Sequence, residues 1–208
     1  MTQKTFSIAG AALAAMVALT ALSGCAPLLV GGAAVGSALM VTDRRSSGTQ
    51  IDDQAIELKA GNRIREAIGE RGHINVTSFN RLVLITGEVP SEADRTSVEQ
   101  AIQRIDNVRS TVNELAVAGN SSLTSRSSDT LLTSKAKATF VDAKDLQSHA
   151  IKVVTERGTV YLMGIVTDRE AKRAAELAAG IGGVQKVVRM FEVISEAELA
   201  GIQAKPKQ

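Results

Sequence analysis

The apolar and polar positions divide the chain into an apolar N-terminal part and a longer part with periodic patterning. Residues 8–22 are almost entirely apolar, residues 26–41 are small, apolar and rich in Gly and Ala, and residues 42–51 turn polar. From residue 52 onward, apolar residues recur at the spacings of amphipathic helices and half-buried strands. We therefore expect a leader, a flexible connecting segment and a region that folds around a core.

The periodic part contains one pattern twice. Residues 82–89 (LVLITGEV) correspond to residues 159–166 (TVYLMGIV), and residues 108–112 correspond to residues 184–188. A unit of about 76 residues is longer than a solenoid repeat and has the size of a small domain. We expect one domain at 52–118 and a second at 129–194, joined by a linker at 119–128 and followed by a C-terminal tail at 195–208.

Each repeat begins with a predicted helix. Ile56, Ala60 and Ile64 recur at helical spacing, as do their counterparts in the second repeat, Leu132, Ala136 and Phe140. Acidic residues precede both stripes, and Asp53 and Asp129 are expected at the N-cap or in the first turn of these helices.

Two strands, a second helix and a third strand follow in each repeat. The strands are predicted at 74–78 and 82–89, then at 151–155 and 159–166, with two-residue connections that suit tight hairpins. Gly87 and Gly164 share one repeat position inside a strand, which indicates a bulge or a close backbone approach. The second helices should start after Ser91 and Asp168, and the last strands lie near 108–117 and 184–194. The fold class is α+β, with an α-β-β-α-β unit whose three-stranded mixed sheet packs against two helices.

The N-terminus has the layout of a secretory signal. Lys4 precedes the apolar stretch, and Leu22-Ser23-Gly24-Cys25 ends it. The stretch is shorter than the ~20 residues of a membrane-spanning helix, although a span and a buried cysteine are the alternatives. The last four residues resemble the lipobox of bacterial lipoproteins. That resemblance implies a signal peptide at 1–24, diacylglycerol on the thiol of Cys25, a fatty acyl group such as palmitate on its amine, and a lipidated tether at 25–51.

Composition excludes several classes of function. The formal charge is only +2, so the chain lacks the basic surface of a nucleic-acid-binding protein. Cys25 is the single cysteine, which excludes an intrachain disulfide. His73 and His149 are the only histidines, and we expect both in loops, without a metal ligand set or a catalytic triad. We predict neither an active site nor a cofactor.

A family signature is carried by the strand at 160–166, the helix start at 167–172 and the pair Gly183-Val184, with a looser equivalent at 83–89. In these features the repeats resemble the BON domain, an α-β-β-α-β module of bacterial envelope proteins. Together with the lipobox, two such units resemble the dual-BON-domain outer-membrane lipoproteins, whose domains face the periplasm. This implies a protein without enzymatic activity that supports outer-membrane integrity. It also implies localisation at division sites, with partners in septal peptidoglycan remodelling or outer-membrane protein assembly.

The same resemblance implies that the first helix of the second domain binds anionic phospholipid such as phosphatidylglycerol. Leu131 has only Ala55 as its counterpart in the first repeat, and no acid lies between Thr130 and Val141. An apolar surface beside lysines suits an anionic membrane. The predicted lipid-binding residues are Leu131, Leu132, Lys135, Lys137, Ala138 and Val141.

Two alternatives remain open. In the first, Leu131 packs against the neighbouring domain and the lysines are a solvated face. In the second, which is compatible with lipid binding, the protein is a scaffold that holds an assembly or division partner through exposed strand edges or the domain interface. Lipid binding should weaken with salt, whereas binding through another surface should not depend on Leu131 or Lys135.

Overall fold

The computed structural model describes residues 43–204. The predicted signal peptide, Cys25 and most of the predicted tether lie outside the described residues.

The described residues form two α-β-β-α-β units in sequence. The first contains α1 (Ser47–Ile68), β1 (His73–Phe79), β2 (Leu82–Val89), α2 (Glu92–Gln103) and β3 (Ser110–Val117). The second contains α3 (Leu123–Asp142), a 3₁₀ turn (Ser148–Ala150), β4 (Ile151–Glu156), β5 (Thr159–Thr167), α4 (Asp168–Ala179) and β6 (Lys186–Ile194). The predicted order of elements is confirmed in both units.

The two sheets have the same mixed topology. The middle strand, β2 or β5, pairs antiparallel with the strand before it and parallel with the strand after the helix. The antiparallel pairs are hairpins with two-residue turns. Both central residues of each turn have positive φ, at 51° and 64° for Asn80 and Arg81 and at 51° and 71° for Arg157 and Gly158. These are the dihedrals of the tight hairpin turn that matches strand twist.

The first helix of each unit begins about six residues earlier than the sequence pattern indicates. The N-cap side chains are Ser46 for α1 and Ser122 for α3. Asp53 and Asp129, expected at helix starts, therefore lie inside the helices. The last residues of the predicted tether are also helical, because the Ser46 side chain accepts a hydrogen bond from the backbone N–H of Thr49 and starts α1 before residue 52.

The two aspartates instead hold the hairpin turns. The carboxylate of Asp53 accepts hydrogen bonds from the N–H groups of Asn80 and Arg81, both at 2.8 Å. Asp129 does the same for Arg157 and Gly158, both at 2.9 Å. Each carboxylate is buried, so it satisfies turn amides that water reaches poorly.

The strand glycines allow a close backbone approach, as predicted. A Cβ on Gly87 would collide with the carbonyl oxygen of His73, and one on Gly164 would collide with that of Ala150. Gly87 also has a φ of +114°, a backbone conformation that residues other than glycine rarely adopt.

Each unit has its own core between helices and sheet. In the first unit Ile56 and Ala60 of α1 meet Val83 and Ile85 of β2. In the second unit Ala136 and Phe140 of α3, the counterparts of Ala60 and Ile64, face Val160, Leu162 and Ala174. Alternate strand residues supply these cores, as period-two patterning requires.

The opposite faces of the two sheets pack against each other. A third apolar cluster joins Phe79 and Leu84 of the first unit to Tyr161, Met163, Ile165 and Met190 of the second. Since Val83 and Ile85 point to the helices while Leu84 points to the other sheet, the layers run helix, sheet, sheet, helix. The helical faces of the two domains are therefore turned away from each other.

A further helix, α5 (Glu196–Ala204), occupies the predicted C-terminal tail. Ser195 and Glu198 exchange hydrogen bonds at its start, and Leu199 is buried. This pattern is a capping box and explains why the tail folds as a helix.

Candidate lipid-binding surface

The predicted lipid-binding residues do not all lie at the surface. Leu131 and Val141 are 62% and 64% exposed, whereas Leu132 is 8% exposed. The Leu132 side chain lies against the backbone of Gly183, and its Cδ2 would be 3.1 Å from a Cβ at that glycine. Leu132 is thus a core residue, and it is left out of the surface described below.

The exposed residues lie on one side of α3. Because Leu132, Ala136 and Phe140 define the buried side, a turn of 100° per residue brings Leu131, Ala138 and Val141 to the outer side. Their exposure excludes the alternative in which Leu131 packs against the first domain. We call Leu131, Ala138 and Val141, with the flanking Lys135 and Lys137, the α3 face.

The structure extends the α3 face by one residue that the sequence pattern missed. Leu123, 79% exposed, lies on the same side at the first turn of α3. Leu123 and Val141 are about 27 Å apart along the helix axis at 1.5 Å per residue. The sequence pattern missed Leu123 because it did not identify Ser122 as the N-cap. With Ser122 as the N-cap, Leu123 belongs to the helix rather than to the linker.

The charges on the α3 face are basic. Lys135 and Lys137 are exposed on its two flanks, about 100° to either side of the buried stripe. Asp129 is the only acid between Leu123 and Val141, and its carboxylate is buried against the hairpin turn. Three large exposed apolar side chains on one side of the helix, with Ser127 and Ser134 between them and one lysine on each flank, combine the apolar and cationic groups that bind an anionic membrane surface.

A groove adjoins each flank of α3. One, of about 450 Å³, is lined by Lys137 and Val141 together with Arg45, His149 and Lys152, and by one acid, Asp43. The other, of about 550 Å³, contains Lys135 and Ala138 but also the carboxylates of Asp142 and Glu176. The second groove suits an anionic ligand less well, since its acids oppose the single lysine.

The first domain presents a comparable helix with a different charge pattern. Ile51 and Leu58 of α1 are 67% and 76% exposed, which the comparison of Leu131 with Ala55 alone did not reveal. Lys59 contacts Asp106 at 3.3 Å and Arg63 contacts Glu66 at 3.0 Å, while Arg65 contacts the side-chain oxygen of Asn62, and the four acids of α1 outnumber its three cations. The outer side of α1 is therefore apolar without a basic excess.

The two histidines do not form a joint site. His73 is the first residue of β1 rather than a loop residue, and its Nδ1 lies 3.6 Å from the buried carboxylate of Glu88. His149 is exposed in the 3₁₀ turn before β4. Within residues 43–204, no group of three or more His, Cys, Asp or Glu side chains could coordinate a metal ion.

Comparison with known families accounts for the repeated unit. The BON domain model matches residues 52–119 and 128–195. The chain belongs to the BON domain family. These two matches cover both predicted domains, and the linker between them is shorter than expected because α3 already begins at Leu123.

Curated relatives share this BON architecture over most of the chain. The chain is 36% identical over 176 residues to the outer membrane lipoprotein DolP of Haemophilus influenzae, covering 83% of this chain and 90% of that protein. It is 30% identical over 154 residues to the 21 kDa hemolysin of Actinobacillus pleuropneumoniae, covering 73% and 79%. A solved C-terminal domain of CdsD from Chlamydia trachomatis matches at 9% identity, covering 64% and 96%, but its TM-score of 0.29 is too low for inference.

The two BON domains differ in charge. Residues 52–119 carry eight Lys or Arg and eleven Asp or Glu, whereas residues 128–195 carry ten and eight. The second domain is therefore net basic and the first net acidic, which matches the basic α3 face.

No helix within residues 43–204 combines the length and hydropathy needed to cross a bilayer.

Proposed function

We propose that this protein is an outer-membrane lipoprotein, anchored through Cys25 with its domains in the periplasm, whose second BON domain binds anionic phospholipid through the α3 face. Its role is binding rather than catalysis, and it supports envelope integrity and septal remodelling. The lipobox and the 36% identity to a protein named as an outer membrane lipoprotein support the location.

The observation that carries the lipid-binding proposal is the composition of the α3 face. Leu123, Leu131 and Val141 are exposed along one side of a helix, with lysines on both flanks. Two effects stabilise the binding of such a face to an anionic bilayer. Its apolar area is buried, and its cations are attracted to the anionic lipid. The net acidic first domain and the paired charges of α1 argue that the second domain is the one that faces the lipid.

The expected affinity is modest. Full burial of one leucine side chain contributes about 1.5–3 kcal/mol, and each lysine near an anionic surface about 1 kcal/mol. A covalent lipid anchor would already keep the protein at the membrane. The α3 face therefore only has to select lipid composition and orientation, for which weak contacts suffice.

The proposal is tested by vesicle binding of a lipid-free protein that lacks residues 1–25, that is, both the signal peptide and Cys25. It should bind phosphatidylglycerol vesicles and not phosphatidylcholine vesicles, with an affinity that falls as salt rises. Leu131→Glu should lower the affinity at least tenfold, because it removes apolar contact and adds a repelled charge. Circular dichroism should be unchanged, since Leu131 is exposed.

Leu58→Glu is the matched control. Leu58 is 76% exposed on α1, in the outer layer opposite to α3, and its replacement should leave phosphatidylglycerol binding unchanged. Equal loss in both variants would mean that binding is nonspecific. Unchanged binding of Leu131→Glu would reject the α3 face as the lipid contact.

A protein-binding role is the second candidate, favoured by the exposed Ile51 and Leu58 of α1. A partner in outer-membrane assembly or septal peptidoglycan remodelling would contact this side while α3 faces the membrane. Photo-crosslinking from a probe at residue 58 in intact envelopes should then capture a protein, and a probe at residue 134 should capture lipid. Crosslinks to lipid alone from both positions would reject the partner role for α1.

A further inference from the structure

The four residues before α1 are fixed to both domains. These residues, 43–46, which we call the N-terminal strap, fall within the segment that the sequence pattern assigns to a flexible tether. Arg44 contacts the second domain and the adjacent Arg45 contacts the first. The chain arriving from the N-terminus is thus attached to the second domain before the first domain begins.

Arg44 makes a buried bidentate ion pair. Its guanidinium donates to the two carboxylate oxygens of Glu170 at 2.7 and 2.8 Å, and to the carbonyl oxygen of Ile165 at 2.8 Å. Both side chains of the pair are only 5% exposed. A bidentate arginine–carboxylate pair has a defined geometry. Arg44 therefore sets the position of the strap on the second domain and also strengthens its binding there.

Glu170 is itself held in place. It is the third residue of α4, and its Oε2 also accepts a hydrogen bond from the N–H of Thr167 at 2.9 Å as half of a capping box. Burial alone would raise the pKa of this carboxyl, but the Arg44 hydrogen bonds and charge lower it below the ordinary value. The strap therefore binds an ionised and oriented acceptor.

Arg45 fixes the same segment to the first domain. It donates to Asp53 at 2.7 Å and to Asp43 at 2.7 Å, and its guanidinium lies 4.2 Å from the centre of the Phe79 ring. Phe79 belongs to the cluster between the two sheets. Arg44 and Arg45 are adjacent in the chain but bind different domains, on opposite sides of the domain interface.

The strap begins beside the C-terminal half of α3. Asp43 and Arg45 line the same groove as Lys137 and Val141. The chain therefore enters the folded unit next to the α3 face and not at the outer side of α1.

We propose that the N-terminal strap orients the α3 face toward the membrane, with Arg44 as the positioning residue. This inference rests on the proposed function, because it assumes an anchor at Cys25 and lipid contact by α3. A folded unit of 162 residues is about 40 Å across. The position at which the chain enters this unit therefore determines which of its sides lies nearer the anchor.

The strap itself is tested by trypsin, which cleaves after arginine. In the mature chain the Arg44–Arg45 bond should resist cleavage, because both guanidinium groups are held. Arg44→Lys keeps the cleavage site but cannot form the bidentate pair, and Glu170→Gln removes the acceptor charge. Both should raise the cleavage rate at residue 44 at least tenfold, whereas Arg63→Gln, which breaks an exposed pair, should not. Equal rates in the mature chain and both strap variants would overturn the strap.

The positioning role is tested with the lipid-anchored protein in phosphatidylglycerol vesicles. A dye at Ser134→Cys, an exposed position between Leu131 and Ala138, reports contact with brominated lipid by quenching. Arg44→Lys should lower this quenching at least twofold. The affinity of the chain lacking residues 1–25 for the same vesicles should change less than twofold, because Arg44 is not in the α3 face.

The outcomes separate the two proposals. Equal quenching in the wild type and Arg44→Lys overturns the positioning role. A parallel loss of quenching and of affinity in the lipid-free chain also overturns it, since Arg44 would then act only through folding. If the lipid-free wild type does not bind these vesicles, the proposed function fails, and with it the positioning role. The trypsin result then still decides whether the strap exists.

Discussion

Asp53 and Asp129 show how one buried carboxylate stabilises a turn that lies far from it in sequence. Each accepts hydrogen bonds from both central amides of a hairpin turn 27 to 29 residues later. Asp53 also accepts a hydrogen bond from the hydroxyl of Ser78 at 2.6 Å and one from the guanidinium of Arg45. The helix and the hairpin of each domain are thereby joined through a single side chain.

Asp129→Ala should destabilise the second domain. The change leaves two turn amides, of Arg157 and Gly158, without an acceptor, and each buried unsatisfied group costs about 1–3 kcal/mol. Urea unfolding should show a lower midpoint with an unchanged slope. Asp142→Ala, at an exposed position near the end of α3, is the control and should stay within about 0.5 kcal/mol.

The buried carboxylates also predict a pH dependence. Burial would raise the pKa of Asp53 and of Glu170, but hydrogen bonds to Asp53 from Ser78 and Arg81, and to Glu170 from Arg44, lower both pKa values. A lowered folded-state pKa contributes stability above the unfolded values of about 4 and loses it as pH falls through the folded values. The free energy of unfolding should therefore fall on acidification below about pH 4. Glu170→Gln should flatten this dependence in urea titrations, and a slope equal to that of the wild type would contradict the assignment.

At the scale of the helix, α3 differs from α1 in charge more than in hydropathy. Both helices expose large apolar residues on their outer sides, but only α3 has lysines on both flanks and no exposed acid between Leu123 and Val141. Charge should therefore decide which of the two helices contacts an anionic membrane.

Replacement of both lysines of the α3 face should weaken lipid binding without affecting the fold. Lys135→Gln with Lys137→Gln should lower the affinity for phosphatidylglycerol vesicles roughly thirtyfold, at about 1 kcal/mol per lysine. Lys59→Gln with Arg63→Gln on α1 is the matched control. An equal loss in the control pair would mean that net charge, and not the α3 face, governs binding.

Leu131→Trp should strengthen binding. Tryptophan prefers the membrane interface, and the exposed position leaves room for the larger ring. We expect a several-fold gain in vesicle affinity, with the indole emission shifted to shorter wavelength on binding. Leu58→Trp should show no such shift, and a shift in that variant would place α1 in the membrane.

Local patterns in the sequence predicted the elements well. The helical stripes ending at Phe140 and at Ile64, and the two-residue hairpin turns, rest on spacings within a single element. The start of α3 was missed because a polar N-cap such as Ser122 is common in linkers too. Leu132 was assigned to the lipid surface from the family resemblance, although helical spacing alone already placed it in the buried stripe with Ala136 and Phe140.

For the whole molecule, the sheet-to-sheet cluster determines the arrangement of the domains. Tyr161, Met163 and Ile165 face Phe79 and Leu84 across the interface, and Tyr161 donates to Glu114 at 3.2 Å. Polar pairs flank this cluster, including Lys152 with Glu57 at 3.0 Å and Asn75 with Glu156 at 3.0 Å. A sequence signal exists, because β5, and β2 from Leu82 to Ile85, are apolar on both faces, as strands buried on both sides are.

Disruption of the interface should separate two intact domains. Met163→Arg introduces a buried charge on the face of β5 that is opposite to its own core, so the second domain should keep its fold. X-ray scattering should show a larger radius of gyration and circular dichroism little change. Leu84→Asp should give the same result from the other side, and Val193→Arg, at a 55% exposed position, should not.

The sequence by itself determined the order of elements, the two cores and the hairpin turns, because these follow from periodicities and turn residues within about ten positions. Tertiary structure decided that the other sheet is what covers the second apolar face, that Asp53 and Asp129 accept hydrogen bonds from the turns, and that the strap binds both domains. The Arg44–Glu170 pair joins residues 126 positions apart. No local pattern specifies such a partner, because the energy of the pair arises only after two separately folded domains have come together and excluded water from it.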